Sequence, residues 1–450
     1  MDAAERLRDL PGVALLEAAR PGRRARWSYL VADPVSVIEE AAPGADPFAV
    51  ARAELRRLAR DPMAGDAAPD FAGGLVGYLG YELRGSLERL SVSAPDDQGL
   101  PPMRLGLHDW VVAFDRVTGA AWLAGREVDG GVGRLSRRLA DVAARMRDAP
   151  PPGRAIAVVA APDRFVSRTG RRDYMTGVEA IRSAIARGDI YQANLSRRLE
   201  APFRDDPWSL YRCLRTGDPA LFAAYVDLGR TAAGAPRAIL SASPEPFLAL
   251  DAEGRVQTDP IKGTRPRGAT NEADRALACD LLASAKDRAE NVMIVDVLRN
   301  DLGRVCRPGT VRVPRLCRLE RTAAVQHLVS TVTGRLAPGR DAFDLLSAAF
   351  PGGSVTGAPK IRAMEILDEM EPVRRGPYTG ALGWFGADGA MVTAVVIRTF
   401  VADGRRLTLH VGGGITWRSD PEAEWDETVA KARGPLGAIG SSEGPSEVDA

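Results

Sequence analysis

Lys262 stands between Ile261 and Gly263 in the run TDPIKGTRPRG, residues 258–268, among turn residues and arginines. It is either one more solvated cation or an amine held against something that reacts. An amine attacks carbon only when neutral, so its ordinary pKa of about 10.4 has to be brought down by desolvation or by nearby cations. Arg265 and Arg267 are close enough in sequence to contribute.

Two acidic segments offer a second kind of chemistry. In SAKDRAENVMIVDVLRNDLGRV, residues 284–305, helical spacing puts Met293, Ile294 and Val297 on one face, with Glu290 three and seven residues before members of it. A carboxylate on an inward stripe needs a partner. Asp287, one turn earlier, lies beside it, and two adjacent acids are tolerated more easily next to a cation than alone. In DPEAEWDETVAKA, residues 420–432, Glu424, Glu427 and Lys431 share a face; taken alone, this is a solvated helix with an ordinary Glu427–Lys431 ion pair. The preceding HVGGGITWRSD changes the weighting. Gly412, Gly413 and Gly414 after a strand-like RLTLHV leave backbone N–H groups uncovered, which suits a carboxylate or phosphate. Glu290 and Glu427 together suit Mg²⁺, a hard cation usually held by few protein oxygens and several waters, often gripping an anionic substrate.

A glycine-rich loop feeds a helix in FPGGSVTGAPKIRAMEILDEMEP, residues 350–372, with Pro359 expected at the first helical position and Pro372 closing the element. The order G-x-x-x-x-G-K-[ST] is absent, so a nucleotide site is the weaker reading.

These residues sit in a chain of alternating helical and strand-like segments. ARWSYLVADPVSVIEE and DWVVAFDRVTGAAWLAG read as strands, and DPFAVARAELRRLARD as an amphipathic helix. RDYMTGVEAIRSAIARGD spaces Val178, Ile181 and Ile185 as a helix, stops at Gly188 and leads into the strand IYQANLSRRLEA. The class is mixed α and β. Three prolines in RDAPPPGR forbid helix continuation and divide an amino-terminal region, 1–146, from a catalytic domain, 161–434, through a Pro-rich linker, 147–160. The small and acidic residues toward the end, GSSEGPSEVDA from Gly440, predict a disordered tail over 435–450. One pattern recurs, as GGLVGYLGYE from Gly73 and GALGWFG from Gly380, by pseudo-symmetry or by coincidence among 46 glycines.

Composition limits the function. A chain of 450 residues is long enough for a large core. A formal charge of +1 argues against long-range attraction to nucleic acid or anionic membrane, so any bound anion must be met by local groups. Cysteines at 213, 279, 306 and 317 form no C-x-x-C pair, and three histidines make a Cys/His zinc site improbable; the thiols read as reduced packing residues of a cytoplasmic protein. The amino terminus is charged where a signal peptide is apolar, and no run of about 18 apolar residues occurs, so the protein reads as soluble.

In order, GDIYQANLSRR, SASPEPFL, TDPIKGTRPRG, KDRAENVMIVDVLRNDLGRV, VQHLVSTVTG, FPGGSVTGAPKIRAMEI, RRGPYTGALGW, VIRT and GGGITWRSDPEAEWDET resemble the signature of the chorismate-utilising enzymes. The match is dense over residues 170–433 and thinner before the linker. The resemblance implies one compact α/β unit with large antiparallel sheets surrounded by helices, and a buried site for Mg²⁺ and chorismate. Within the family, anthranilate synthases usually carry alanine in PIAGT, whereas aminodeoxychorismate synthases carry the lysine of PIKGT, as here. The isochorismate and salicylate branches place a water-activating lysine where this chain has Gln192, which speaks against water as nucleophile.

On that resemblance Lys262 adds at ring carbon 2 of chorismate while the 4-hydroxyl departs, and ammonia then enters at carbon 4 and expels the lysine. Glu245 of SPEPF matches the family's general acid, though it also reads as a turn residue between Pro244 and Pro246. Gln192, Tyr378, Arg398, Gly413, Gly414 and Lys431 are implied to bind substrate, its carboxylates above all, and Arg398 has the bidentate geometry for that. Thr264 and His327 would face the ring and its leaving group, His327 being equally readable as a buried, satisfied histidine. Glu290 and Glu427 would bind the metal directly, Asp287 and Glu424 mainly through water. No glutaminase module is visible, so ammonia would come from a separate glutamine amidotransferase partner or from solution. Anthranilate synthase component I and a catalytically silent chorismate-binding subunit are the competing expectations. Two departures from the pattern are Asp259, where arginine is common, and Ala18, which replaces the serine of a stretch tied to tryptophan feedback.

Overall fold

A computed structural model of the chain describes residues 2–19, 26–40, 46–60, 68–90, 93–131, 133–147, 162, 164–322 and 325–445. Among them the backbone forms one sheet of twelve strands and one of ten, with helices packed around both. Pairing is antiparallel except where Ser442–Glu443 joins Arg164–Ser167 in parallel. The expected architecture, mixed α and β with large antiparallel sheets, is what the chain adopts.

The two regions read from the sequence share both sheets. Ala14–Glu17 pairs with Phe222–Arg230, and Gly74–Leu79 pairs with Ala381–Gly386. Gly74–Leu79 is buried at all six positions, so it has to be covered on both faces by the rest of the chain. The repeated glycine pattern is explained here: its two copies are hydrogen-bonded neighbours, with Gly77 opposite Gly383. A Cβ on Gly383 would stand 2.0 Å from the Val392 carbonyl oxygen, so close strand approach requires glycine there. The linker, apart from Arg147, lies outside the described residues.

Most local expectations hold. The helix Arg171–Ala186 buries Val178 and Ile181, and Gly188 at φ +83° turns the chain into the strand Gln192–Pro202. Three readings are corrected. In the helix Ala285–Gly303 the core face is Asn291, Ile294, Val295, Leu298 and Leu302, with Met293 and Val297 only partly buried, because this helix packs against the Val325–Arg335 strand from one residue further round. The helix after the glycine-rich loop begins at Lys360, with Pro359 as its cap, and the Lys360 amine is bound to Asp301 at 2.8 Å and to the Ala349 carbonyl at 2.8 Å. That cation is committed inside the protein and is not offered to a phosphate. The tail expected to be disordered over 435–450 has defined structure over 435–445, and residues 446–450 lie outside the described residues. The helix Pro421–Ala438 carries through its start, and Glu443 then pairs with the buried guanidinium of Arg197 at 2.5 Å. An acidic residue read as solvating is used as a counter-ion.

Cys306 and Cys317 are buried packing residues, whereas Cys213 and Cys279 are exposed; all four are free. Among the described residues no helix is long and apolar enough to cross a membrane.

Candidate active site

A cleft of about 600 Å³ opens between the sheets, and its walls include Glu245, Lys262, Thr264, Asp287, Glu290, His327, Tyr378, Arg398, Gly414, Glu427 and Lys431. Residues spread over nearly 190 positions of sequence meet there because the strands Ile261–Pro266, Val325–Arg335 and Arg406–Ile415 and the helices Ala285–Gly303 and Pro421–Ala438 converge with the connecting segments that carry Glu245, Tyr378 and Arg398.

Lys262 lies on Ile261–Pro266, which pairs with Val325–Arg335 and slips register between Lys262 and Thr264. Gly263 sits at the slip with φ +76°, and a Cβ there would stand 2.8 Å from Asp287 Cβ, so the strand touches the acidic helix only because no side chain intervenes. The Lys262 amine donates to the Ser354 carbonyl at 3.0 Å. Ser354 also hydrogen-bonds the Glu245 carboxyl. Amine and acid thus converge on one residue of the glycine-rich loop. Glu245 is 9 % exposed, and burial raises its pKa above the usual carboxylate range, against the opposing pull of Lys262. It is a buried cleft acid, not a surface turn residue.

The cations expected to act on Lys262 are engaged elsewhere. Arg265 pairs with Asp280 at 2.6 Å and Asp287 at 3.2 Å, and Arg267 pairs with Asp274 at 2.6 Å. Asp259 is buried away from the cleft, accepting from Thr331 at 2.6 Å and Gln257 at 2.7 Å. Thr264 and His327 face each other across the strand pair, Thr264 Oγ1 to His327 Nδ1 at 2.9 Å, at the cleft wall. His327 is therefore not a sequestered core histidine.

The carboxylate-binding candidates form the opposite wall. Tyr378 is 6 % exposed and stacks on His410 with ring centroids 5.0 Å apart at 12°. Arg398, at φ +49°, reaches into the cleft and stands 3.7 Å from Asp218. Lys431 donates to the Gly412 carbonyl at 2.8 Å and pairs with Glu427 at 2.7 Å. Gly412 and Gly414 line the cleft, while Gly413 faces the helix: a Cβ on it would meet Glu424 Oε2 at 3.0 Å. Strand alternation turns the Cβ side of Gly413 toward the helix, which bears on a side chain there and not on its backbone N–H. Gln192 is fully buried behind Gly414, where an added Cβ would come 2.7 Å from its amide nitrogen.

The acids arrive on two helices. Burial raises Glu290, with Lys262 and Lys286 opposing, and burial raises Glu424 against a hydrogen bond from Ser419. Burial also acts upward on Glu427, but the Lys431 pair outweighs it and holds that carboxyl low. Glu424 Oε2 is buried and makes no hydrogen bond. Among the described residues no group of three or more Asp, Glu, His or Cys closes into a ready-made metal cage. Mg²⁺ does not need one, since it takes one or two carboxylates and completes its shell with water and substrate oxygens. A buried carboxylate oxygen with no hydrogen-bond partner, close to other carboxyls, fits a hard cation.

A family model described as chorismate binding enzyme matches residues 14–437. The chain belongs to that family. The match runs through both regions read from the sequence, as the shared sheets require. The chain is 42 % identical to anthranilate synthase component 1 of Streptomyces coelicolor, over 97 % of this chain and 85 % of the relative. It is 39 % identical to aminodeoxychorismate synthase component 1 of Salmonella typhimurium, over 96 % and 94 %. The crystal structure of anthranilate synthase component I from Streptococcus pneumoniae superposes with a TM-score of 0.81 at 31 % identity, covering 92 % of this chain and 93 % of that one.

The structure also brings in residues that motif reading missed. Asn194 hydrogen-bonds Tyr378, Ser354 links Lys262 to Glu245, and His410 and Lys286 line the cleft. His410 was legible as one of only three histidines and Lys286 as one of only four lysines; Asn194 and Ser354 had no distinguishing spacing. Ala18 lies apart, in a cavity of about 370 Å³ with Trp27, Tyr29 and Trp384.

Proposed function

We propose that this chorismate-binding enzyme aminates chorismate at carbon 4 to give 4-amino-4-deoxychorismate. The observation that carries the reading is the meeting of the Lys262 amine and the buried Glu245 acid at Ser354. A nucleophile and a proton donor that meet at one loop residue suit replacement of a hydroxyl, because hydroxide leaves only when protonated.

The neutral Lys262 nitrogen bonds to ring carbon 2, the two conjugated ring double bonds each shift by one bond toward carbon 4, and the carbon 4–oxygen bond breaks as Glu245 gives its proton, releasing water. Ammonia then bonds to carbon 4, both double bonds shift back, and Lys262 leaves as a neutral amine while Glu245 recovers a proton from the new ammonium. Chorismate and ammonia are consumed; the amine product and water are formed. Tyr378, Arg398, Lys431 and the Gly412–Gly414 backbone hold the two substrate carboxylates, and Thr264 and His327 flank the leaving group. Mg²⁺, held by Glu290 and Glu427 with Asp287 and Glu424 behind them, would neutralise a substrate carboxylate and fix its orientation. The two curated relatives are each a component 1, which supports a separate glutamine amidotransferase as the ammonia source.

A second reading, anthranilate synthesis with loss of pyruvate, is favoured by the 42 % identical relative of that name. Incubating the protein with chorismate, Mg²⁺ and ammonium separates the two. Aminodeoxychorismate is expected; strong anthranilate fluorescence without it would sink this choice. In the same assay Lys262→Ala is expected to abolish turnover while chorismate still binds, and the wild type without ammonia to gain the mass of chorismate less water. Undiminished turnover in Lys262→Ala removes the covalent step and also counts against a catalytically silent subunit.

A further inference from the structure

The chain has four lysines, Lys262, Lys286, Lys360 and Lys431, although lysine and arginine together number 60. Arginine is its ordinary cation. A position kept as lysine needs a compact point charge on a flexible stem and is ill served by a five-donor planar fork. Lys360 is tied to Asp301 inside the protein, and the other three line the cleft. Lys262 and Lys431 have parts in the proposed chemistry. Lys286 has none.

Helix formation does not explain it. Lys286 is the second residue of the helix Ala285–Gly303, after the Ser284 cap, where a cation opposes the positive end of the helix dipole. Lysine placed four residues before glutamate is also the weaker order for a helical ion pair. What the position achieves lies across the cleft. The ammonium is 4.0 Å from Glu290 Oε1 on its own helix and 3.8 Å from Glu424 Oε1 on the helix Pro421–Ala438. Both separations are too long for hydrogen bonds and short enough for charge to be felt. Glu424 is 3 % exposed, its Oε1 accepts from Ser419 at 2.6 Å, and its Oε2 is buried with no hydrogen-bond partner. The Lys286 side chain is 45 % exposed, so it has a way out to water.

We propose that Lys286 is a tethered counter-ion that neutralises Glu290 and Glu424 while no divalent cation is bound and swings into solvent when one binds. This rests on the magnesium reading above. A lysine can yield because it makes no directional bond to either acid, whereas an arginine would clasp the carboxylates and compete. Lys286 thereby keeps the acids apart and folded without metal, and sets the affinity of the site for the metal alone.

The test is calorimetric titration of the full chain with MgCl₂, with no substrate, alongside thermal unfolding in a chelator. Lys286→Met is expected to bind Mg²⁺ roughly three- to tenfold more tightly, the range carried by two partly exposed ion pairs, and to melt at lower temperature when metal-free. Lys286→Arg is expected to bind Mg²⁺ more weakly than wild type, because its fork bonds the acids. Wild-type binding with equal or weaker affinity in Lys286→Met overturns the counter-ion role alone. Absence of Mg²⁺ binding in wild type and both variants overturns the magnesium reading and this one with it.

Discussion

Replacing Glu245 by glutamine separates the acid's chemistry from its place in the fold. The amide keeps the shape and an acceptor oxygen for Ser354, but it has no acidic proton to give a departing hydroxyl. A positioned general acid typically contributes about 10²–10⁴-fold, so kcat is expected to fall by that factor, about 3–5 kcal/mol of barrier. KM should stay within about threefold, because the cleft wall of Tyr378, Arg398 and Lys431, proposed to hold the substrate carboxylates, is untouched. Stability moves the other way. Burial raises the Glu245 pKa in the folded protein, with Lys262 and Ser354 opposing. A group raised on folding stabilises fully below its unfolded pKa, and that contribution is lost as pH rises through the folded one. Above that window the wild type carries a buried carboxylate and Glu245→Gln does not. The variant should therefore melt higher than wild type at about pH 8, with the gap closing toward about pH 4. Steady-state kinetics with ammonium and calorimetric melting across that range read both quantities on one preparation. Full kcat in Glu245→Gln, or a lower melting temperature accompanying its loss, would refute the reasoning.

Behind the cleft, Arg375 is 1 % exposed and binds Glu371 at 2.7 Å, the Asn194 carbonyl at 2.7 Å and the Val355 carbonyl at 3.0 Å. Arg375→Met leaves Glu371 as an unpaired buried charge, so it should cost about 3–5 kcal/mol in denaturant unfolding, partly regained in the double variant with Glu371→Gln; a loss below about 1 kcal/mol contradicts the hub role. Burial pushes the Glu82 carboxyl up to about 7, while the Arg375 backbone N–H donates to it at 2.9 Å. Its stabilising contribution is lost as pH rises through about 7, so Glu82→Gln should flatten the stability profile between about pH 6 and 8; an unaltered slope rules the titration out.

Much of the site was legible because its chemistry depends on rare residue types in short, ordered motifs. Lys262 in PIKGT and Glu245 in SPEPF stood out by resemblance to the family's motifs, the Glu424, Glu427, Lys431 face by helical spacing, and folding brings Lys262, Glu245, Glu427 and Lys431 to one cleft. The periodicity that marked Val178 and Ile181 as core likewise needed no tertiary information. Tertiary packing decided what lies beyond a few residues of chain. It set which face of Ala285–Gly303 turned inward, since an amphipathic stripe defined by one-residue steps is fixed only when a partner strand docks on it. It set the Cβ side of Gly413 against Glu424, and paired Arg265 with Asp280 and Asp287 and Arg267 with Asp274. It recruited Glu443 from a tail-like composition to neutralise Arg197, because a buried guanidinium must be paired wherever in the chain its partner comes from. Sequence determined which groups are available; long-range burial and charge neutralisation determined which of them meet.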